Sequence, residues 1–373
     1  MRRLTRGAMV TSGLLAVILA GGGVAPAAAA APPLRVARVH DLGTLGGLSS
    51  AGLQINERGQ VLGTSSTAEE FSVPFFWDGA LHRVTVPGWP GVTAAALNDR
   101  GQVAGTASDA TGRTRAFVWQ RGHARVLGTL GGTTSSAADV NDLGHVAGTS
   151  TRRSGPEHAF LWRGGRLTDL GTLGGAWSRA VALNNCDQVI GESETADGRV
   201  VPFLWSRGRM RELESLPQPS RNVAIAINDR GDVLGQRQDS GPNADMEAVV
   251  WPRTGGVVVV GLFQPNAIND HGDVVGQDVF EFFAFRWRNG VLSRLTDLGF
   301  ASAALAVNDR GIAAGYSDID RAAVWDLDGT VLDLGTLGGP QALAQGINNR
   351  NQVVGTAKLA DDSEHAVVWD LTR

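Results

Sequence analysis

The chain has 373 residues, room for one large domain or two ordinary ones, with 33 basic against 37 acidic residues and a formal net charge of −4. Such a mildly acidic chain is a poor candidate for nucleic acid, which rewards clustered positive charge. Fifty glycines demand many turns, and a single cysteine, Cys186, excludes an intrachain disulfide, so stability has to come from packing.

In chain order, the first segment reads as an export signal. Arg2, Arg3 and Arg6 form a positive start, Ala8 to Ala20 is mostly apolar, and Ala28-Ala29-Ala30 offers a small-residue cleavage site. The apolar run is short and glycine-rich for a transmembrane helix. The expectation is a cleaved signal over 1–30 and one domain over 31–373, secreted, without membrane insertion, and monomeric. Losing the three arginines would take the charge to −7, thirty basic residues against 37 acidic.

Outside the first 25 residues no long stretch has the i, i+3, i+4, i+7 apolar spacing of a helix. Short apolar runs separated by Gly, Asn and Asp dominate, the pattern of an all-β chain. One phrase recurs eight times: an apolar residue, Asn, a polar turn, two small or apolar residues, then Gly. Its asparagines are Asn56, Asn98, Asn141, Asn184, Asn228, Asn269, Asn308 and Asn348, spaced 39 to 44 residues apart. A tryptophan follows each one, at 77, 119, 162, 205, 251, 287, 325 and 369.

Each unit divides into four short strands. Strand a ends at the apolar-Asn pair, strand b is the Gln-Val-x-Gly segment, strand c carries the Trp, and strand d ends in Leu-Gly. The a–b turn fits a type I turn followed by a left-handed residue. That slot holds Gly59, Gly101, Gly144, Gly231, Gly272 and Gly311. Asp187 and Asn351 replace glycine in the other two units, and both types tolerate positive φ. Small residues at period two place strand a around a central axis. The last unit stops after strand c, while Leu34 to Gly43 supplies an unattached strand d. Pairing the two would close a β-propeller of about eight four-stranded blades and leave no open edge.

Two phrases carry a family resemblance. Glu157-His158-Ala159-Phe160-Leu161-Trp162 contains a His-Ala-Phe triplet. Asp41-Leu42-Gly43-Thr44-Leu45-Gly46-Gly47 recurs at 169–175 and 333–339, with a near copy from Val126. Together they resemble the HAF repeat family. The resemblance covers nearly the whole chain after the signal and implies an exported propeller-like protein, with no reaction attached. The fifth to seventh units depart from it by losing Gly-Thr-Leu-Gly-Gly.

No catalytic constellation is apparent. His158 and His365 occupy a slot that elsewhere holds Val, Arg, Glu or Phe, which reads as strand surface. Cys186 sits in a variable turn slot, and no Gly-x-Ser-x-Gly elbow or HExxH pair occurs. No cofactor is implied. Asp318-Ile319-Asp320 and Asp361-Asp362 with Glu364 are oxygen-rich, so weak structural calcium is the one metal considered.

What remains is the face bearing the d–a and b–c loops. The b–c segment varies most: Gly to Trp is 14 residues in five units but 16 in the fifth, 11 in the sixth and 10 in the seventh. The d–a loops carry Trp89, Trp177, Phe263 and Phe300, rings that could stack on a sugar or anchor a protein, or could simply cover the core. The leading expectation is a non-catalytic extracellular binding module for a glycan or protein. The alternatives are a polysaccharide hydrolase or lyase working in the channel, with Gln54 and Asp139 as candidates, and a purely structural surface repeat.

Overall fold

The computed structural model describes residues 32–69, 71–214, 220–239, 246–278, 280–318 and 320–373. The expected signal segment, 1–30, lies outside them. The body over Leu34–Thr372 is all-β, with no helix among its described residues. It is propeller-like, built of four-stranded antiparallel sheets in chain order. The sheets run over 46–83, 91–126, 131–169, 174–212, 220–262, 264–294 and 302–333, called sheets 1 to 7. Sheet 8 consists of Gly338–Ile347, Gln352–Leu359 and Glu364–Thr372, with Arg35–Gly43 as its fourth strand.

Sheet 3 shows how the repeat dictates its form. Strand a, Gly131–Val140, pairs with Val146–Arg152, then Gly155–Arg163, then Arg166–Asp169. All eight repeat tryptophans lie on third strands. The glycine of strand b faces the ring of strand c: Gly148 is opposite Phe160, and a Cβ there would lie 2.6 Å from the ring. Gly63, Gly105 and Gly191 make the same room for Phe75, Phe117 and Phe203. These four rings are fully buried, each in its own apolar cluster between sheets.

The a–b turns adopt the geometry expected of them. All six slot glycines have positive φ, as do Asp187 at 58° and Asn351 at 60°. The repeat asparagines are buried and do more than hold their own turns. Asn56 Oδ1 accepts the main-chain N–H of Arg58 and Gln60, while its Nδ2 donates to the carbonyl of Asn98 in the next unit, 2.9 Å away. Asn98 donates likewise to Asn141, and so on through Asn184, Asn228, Asn269, Asn308 and Asn348, which donates back to Asn56 at 2.9 Å. First strands also touch their neighbours in the same cyclic order, sheet 8 meeting sheet 1.

The seam in sheet 8 is held by more than its ladder. Arg35 pairs with Thr372 and Gly43 with Ala366. His40 bonds Asp370 at 2.8 Å, and His365 Nδ1 bonds Asp41 at 2.8 Å. Burial alone would push the Asp370 carboxyl up, but bonds from the Gln352 amide and His40 outweigh it and hold the group below the usual carboxylate range. Small hydroxyls fasten sheet to sheet elsewhere: Ser135 accepts the Ala116 N–H of sheet 2 and donates to the Gly128 carbonyl, and Ser178 does the same with Ala159 and Gly171.

Candidate functional site

The four rings singled out in the sequence do not converge. Trp89 leads into sheet 2 and Trp177 lies on the first strand of sheet 4. Both are half-buried under arginines, Arg115 at 5.9 Å and Arg179 at 5.2 Å from the ring centres. Phe263 corrects the expectation outright, because it is 1 % exposed and cannot meet a ligand. The fifth sheet ends at Leu262 and the sixth begins at Gln264, so the connection is this single residue, turned inward. Its ring sits over Gly276 and stacks on Phe285 at 6.1 Å, the place that a third-strand phenylalanine fills in sheets 1 to 4.

Phe300 behaves as expected and is 72 % exposed. It edges a cleft of about 720 Å³ where sheets 7, 8 and 1 meet. The cleft is lined by Phe282, Phe300 and Tyr316, the only tyrosine of the chain, with Gln341, Gln345 and Glu364 among its polar groups. Short b–c loops in sheets 6 and 7 and the alanine-rich strands of sheet 7 leave this space. Phe282 holds φ at 58°, a strained value for a bulky residue, and its carbonyl accepts the Ser302 N–H at 2.7 Å. Gln341 Nε2 donates to Asp320 at 2.9 Å, which fixes one amide at the rim. Phe280, 66 % exposed, and Phe282 were missed by sequence reasoning. Their signal was the shortened b–c spacing of the sixth unit.

The a–b turns carry a second cycle, one residue beyond the asparagines. The Glu57 N–H donates to Asp99, Asp99 to Asp142, Asp142 to Asn185, Asn185 to Asp229, Asp229 to Asp270, Asp270 to Asp309, Asp309 to Asn349 and Asn349 to Glu57, all at 2.7 to 2.9 Å. Six carboxylates thus ring one mouth. Burial, opposed by those N–H bonds and reinforced by like-charged neighbours, raises Glu57, Asp99 and Asp270 above the usual range. Each carboxylate is already tied to a neighbouring backbone.

The channel candidates are similarly engaged. Gln54 spans to the next first strand, accepting from Leu97 N–H at 2.9 Å and donating to the Ala95 carbonyl at 3.0 Å. Asp139 accepts from Val140 N–H at 2.7 Å and Leu183 N–H at 2.8 Å. The residue is half-buried, but its carboxylate is enclosed by main chain, and burial pushes it up to about 6. Because the folded value exceeds the unfolded one, the folded protein keeps this proton longer, and stability falls as pH rises from about 4 to 6. Asp139→Ala restores the small residue of most units. Its stability relative to the parent is expected to rise by about 2 kcal/mol between pH 4.5 and 7.5, measured by urea unfolding at both values. A pH-independent difference would contradict the assignment.

The two histidines of the recurring slot are less superficial than expected. His158 is buried and bonds Asp169 at 2.7 Å. With His365 and Asp41 this links the His-Ala-Phe phrase on strand c to the Asp-Leu-Gly phrase on strand d. Arg321 reaches Asp333 from the same slot at 3.3 Å. Cys186 is exposed. Asp361 caps its own turn through Ser363. Asp318 lies beside Phe300, and Ile319 falls outside the described residues. Among the described residues no three His, Cys, Asp or Glu side chains gather closely enough to hold a metal ion, and no helix is long and apolar enough to cross a membrane.

No family model and no curated protein matches the chain. Solved structures do. TolB from Acinetobacter baumannii is 13 % identical with a TM-score of 0.41, over 66 % of this chain and 61 % of that one. A puromycin-hydrolyzing peptidase of Mycobacterium tuberculosis is 14 % identical with a TM-score of 0.48, over 77 % of this chain and 55 % of the other. AofleA from Arthrobotrys oligospora is 14 % identical with a TM-score of 0.37, over 69 % and 89 %. The chain thus spans less than two thirds of TolB and of the peptidase.

Proposed function

We propose that the chain is an exported, closed eight-bladed β-propeller that acts as a binding module, and that a glycan lies in the Phe300 cleft. The observation that carries this reading is the cleft itself. Its volume of about 720 Å³ falls within the usual ligand-site range of about 300–1,000 Å³. Exposed rings beside a fixed amide and a carboxylate suit a sugar, whose apolar face stacks while its hydroxyls take hydrogen bonds. The cyclic hydrogen bonds support a rigid scaffold beneath it, and the export-like N-terminus and the HAF-type phrases support a place outside the cell.

The test is a thermal-shift screen against neutral oligosaccharides. A ligand at a hundredfold excess over its Kd adds about 2.7 kcal/mol to native stability. Phe300→Ala is expected to weaken binding about tenfold, the loss of roughly 1–2 kcal/mol at an aromatic contact, without altering the unliganded Tm. Unchanged affinity in the folded variant would place the ligand elsewhere.

A further inference from the structure

The opposite face, where the a–b and c–d turns emerge, holds a cleft of about 660 Å³ between sheets 2 and 3. Its lining includes Arg121, His123, Arg125 and His145, with Gln120 and Trp162. No carboxylate is among the lining residues, although acidic side chains outnumber basic ones over the whole chain.

Some arginines on this face meet an acid: Arg163 meets Asp187 at 3.5 Å and Arg288 meets Asp273 at 3.4 Å. Arg121, His123 and Arg125 form no such ion pair among the described residues, and all three are exposed. Asp187, the acid that His145 meets, is occupied by His145 Nδ1 at 2.8 Å, by the Asn141 amide at 3.0 Å and by Arg163.

The arginines are also held in place. Arg125 lies 5.1 Å over the Trp162 ring, a cation–π contact that favours this position and leaves N–H groups to donate. The glycine at 165 lets it lie there, since a Cβ would approach Arg125 Nη2 to 3.0 Å. Arg121 occupies the c–d turn at φ 49°, a conformation that Arg207 and Asn289 adopt in the same turn of sheets 4 and 6.

We propose that this cleft binds an oxyanion, with Arg121 and Arg125 as its principal donors. The planar guanidinium fork matches carboxylate and sulfate geometry, and the unbalanced positive charge has no partner inside the protein. The site is separate from the Phe300 cleft and does not depend on that reading.

Isothermal titration of the whole protein at low salt tests it with three probes: inorganic sulfate, oligogalacturonate, and a sulfated oligosaccharide. Binding in at least one arm is expected, and which arm responds identifies whether the oxyanion is free, a uronate or a sulfate ester. Arg121→Asn, which suits the positive φ, and Arg125→Gln should together weaken that binding tenfold or more, as expected for lost charge-assisted hydrogen bonds. Arg125→Lys, which keeps charge and stem, should retain part of the affinity and serves if the double variant folds poorly. Silence in all three arms, or undiminished binding by folded arginine variants, would overturn the proposal.

Discussion

Deleting residues 32–43 should remove most of the stability of the protein and abolish a single cooperative thermal transition. These residues supply the fourth strand of sheet 8, bury Leu34 and Leu42, and satisfy His365 and Asp370. Without them the Glu364–Thr372 strand presents a bare edge carrying Val367 and Trp369, the latter now fully buried. Domains have only about 5–15 kcal/mol in hand, so losing one ladder and its apolar cover consumes a large part of it. Calorimetry should show a broad, low transition, and light scattering should show self-association through the open edge. A synthetic peptide of residues 34–43 should restore the transition in a saturable way. Unfolding of the truncated chain at the parental Tm would show that the seam contributes little.

Asn184→Ala should cost about 4 kcal/mol in urea unfolding. Its amide donates to the Asn228 carbonyl at 2.9 Å and to Gln188 Oε1 at 2.8 Å, and its Oδ1 accepts the N–H groups of Cys186 and Gln188. The side chain is buried, so truncation strands several polar groups at about 1–3 kcal/mol each, partly relieved by relaxation. The same change at any of the eight positions should cost a similar amount, because each asparagine links its unit to the next. A loss below about 1 kcal/mol would mean that water replaces the amide. Asn184→Asp should be no better, since a carboxylate would face the Asn228 carbonyl it cannot donate to.

The parts of this architecture legible in the sequence are those where geometry leaves few residue choices. A left-handed turn slot accepts Gly, Asn or Asp, so eight such slots announced eight hairpins, and all eight have positive φ. The absent eighth strand d and the spare strand at 34–43 announced the seam for the same reason, since an unpaired edge has to be met by something. Aromatic side chains gave no comparable certainty. Phe263 and Phe300 look alike in the sequence, each beside a strand-d to strand-a junction. One turns inward over Gly276 because its connection is a single residue; the other stays outside because Gly299 packs closely against Asp318 and leaves it on the rim. Arg286 was equally unforeseen: it stands in an apolar slot before Trp287, is buried, and donates to the carbonyls of Gly311, Asp326 and Leu327. Pairwise contacts of this kind depend on how sheets face each other, which the period of a repeat does not encode.

The register of the seam also sets how the body answers a mechanical load. Arg35 lies opposite Thr372, so the first and last residues of the ladder leave from the same end of an antiparallel pair. A force pulling the two ends apart would load these bonds one after another, as a zipper opens, instead of shearing the whole ladder at once. The body should therefore part at this joint under low tension while the seven hairpin-connected sheets, whose strands are joined through turns, remain folded.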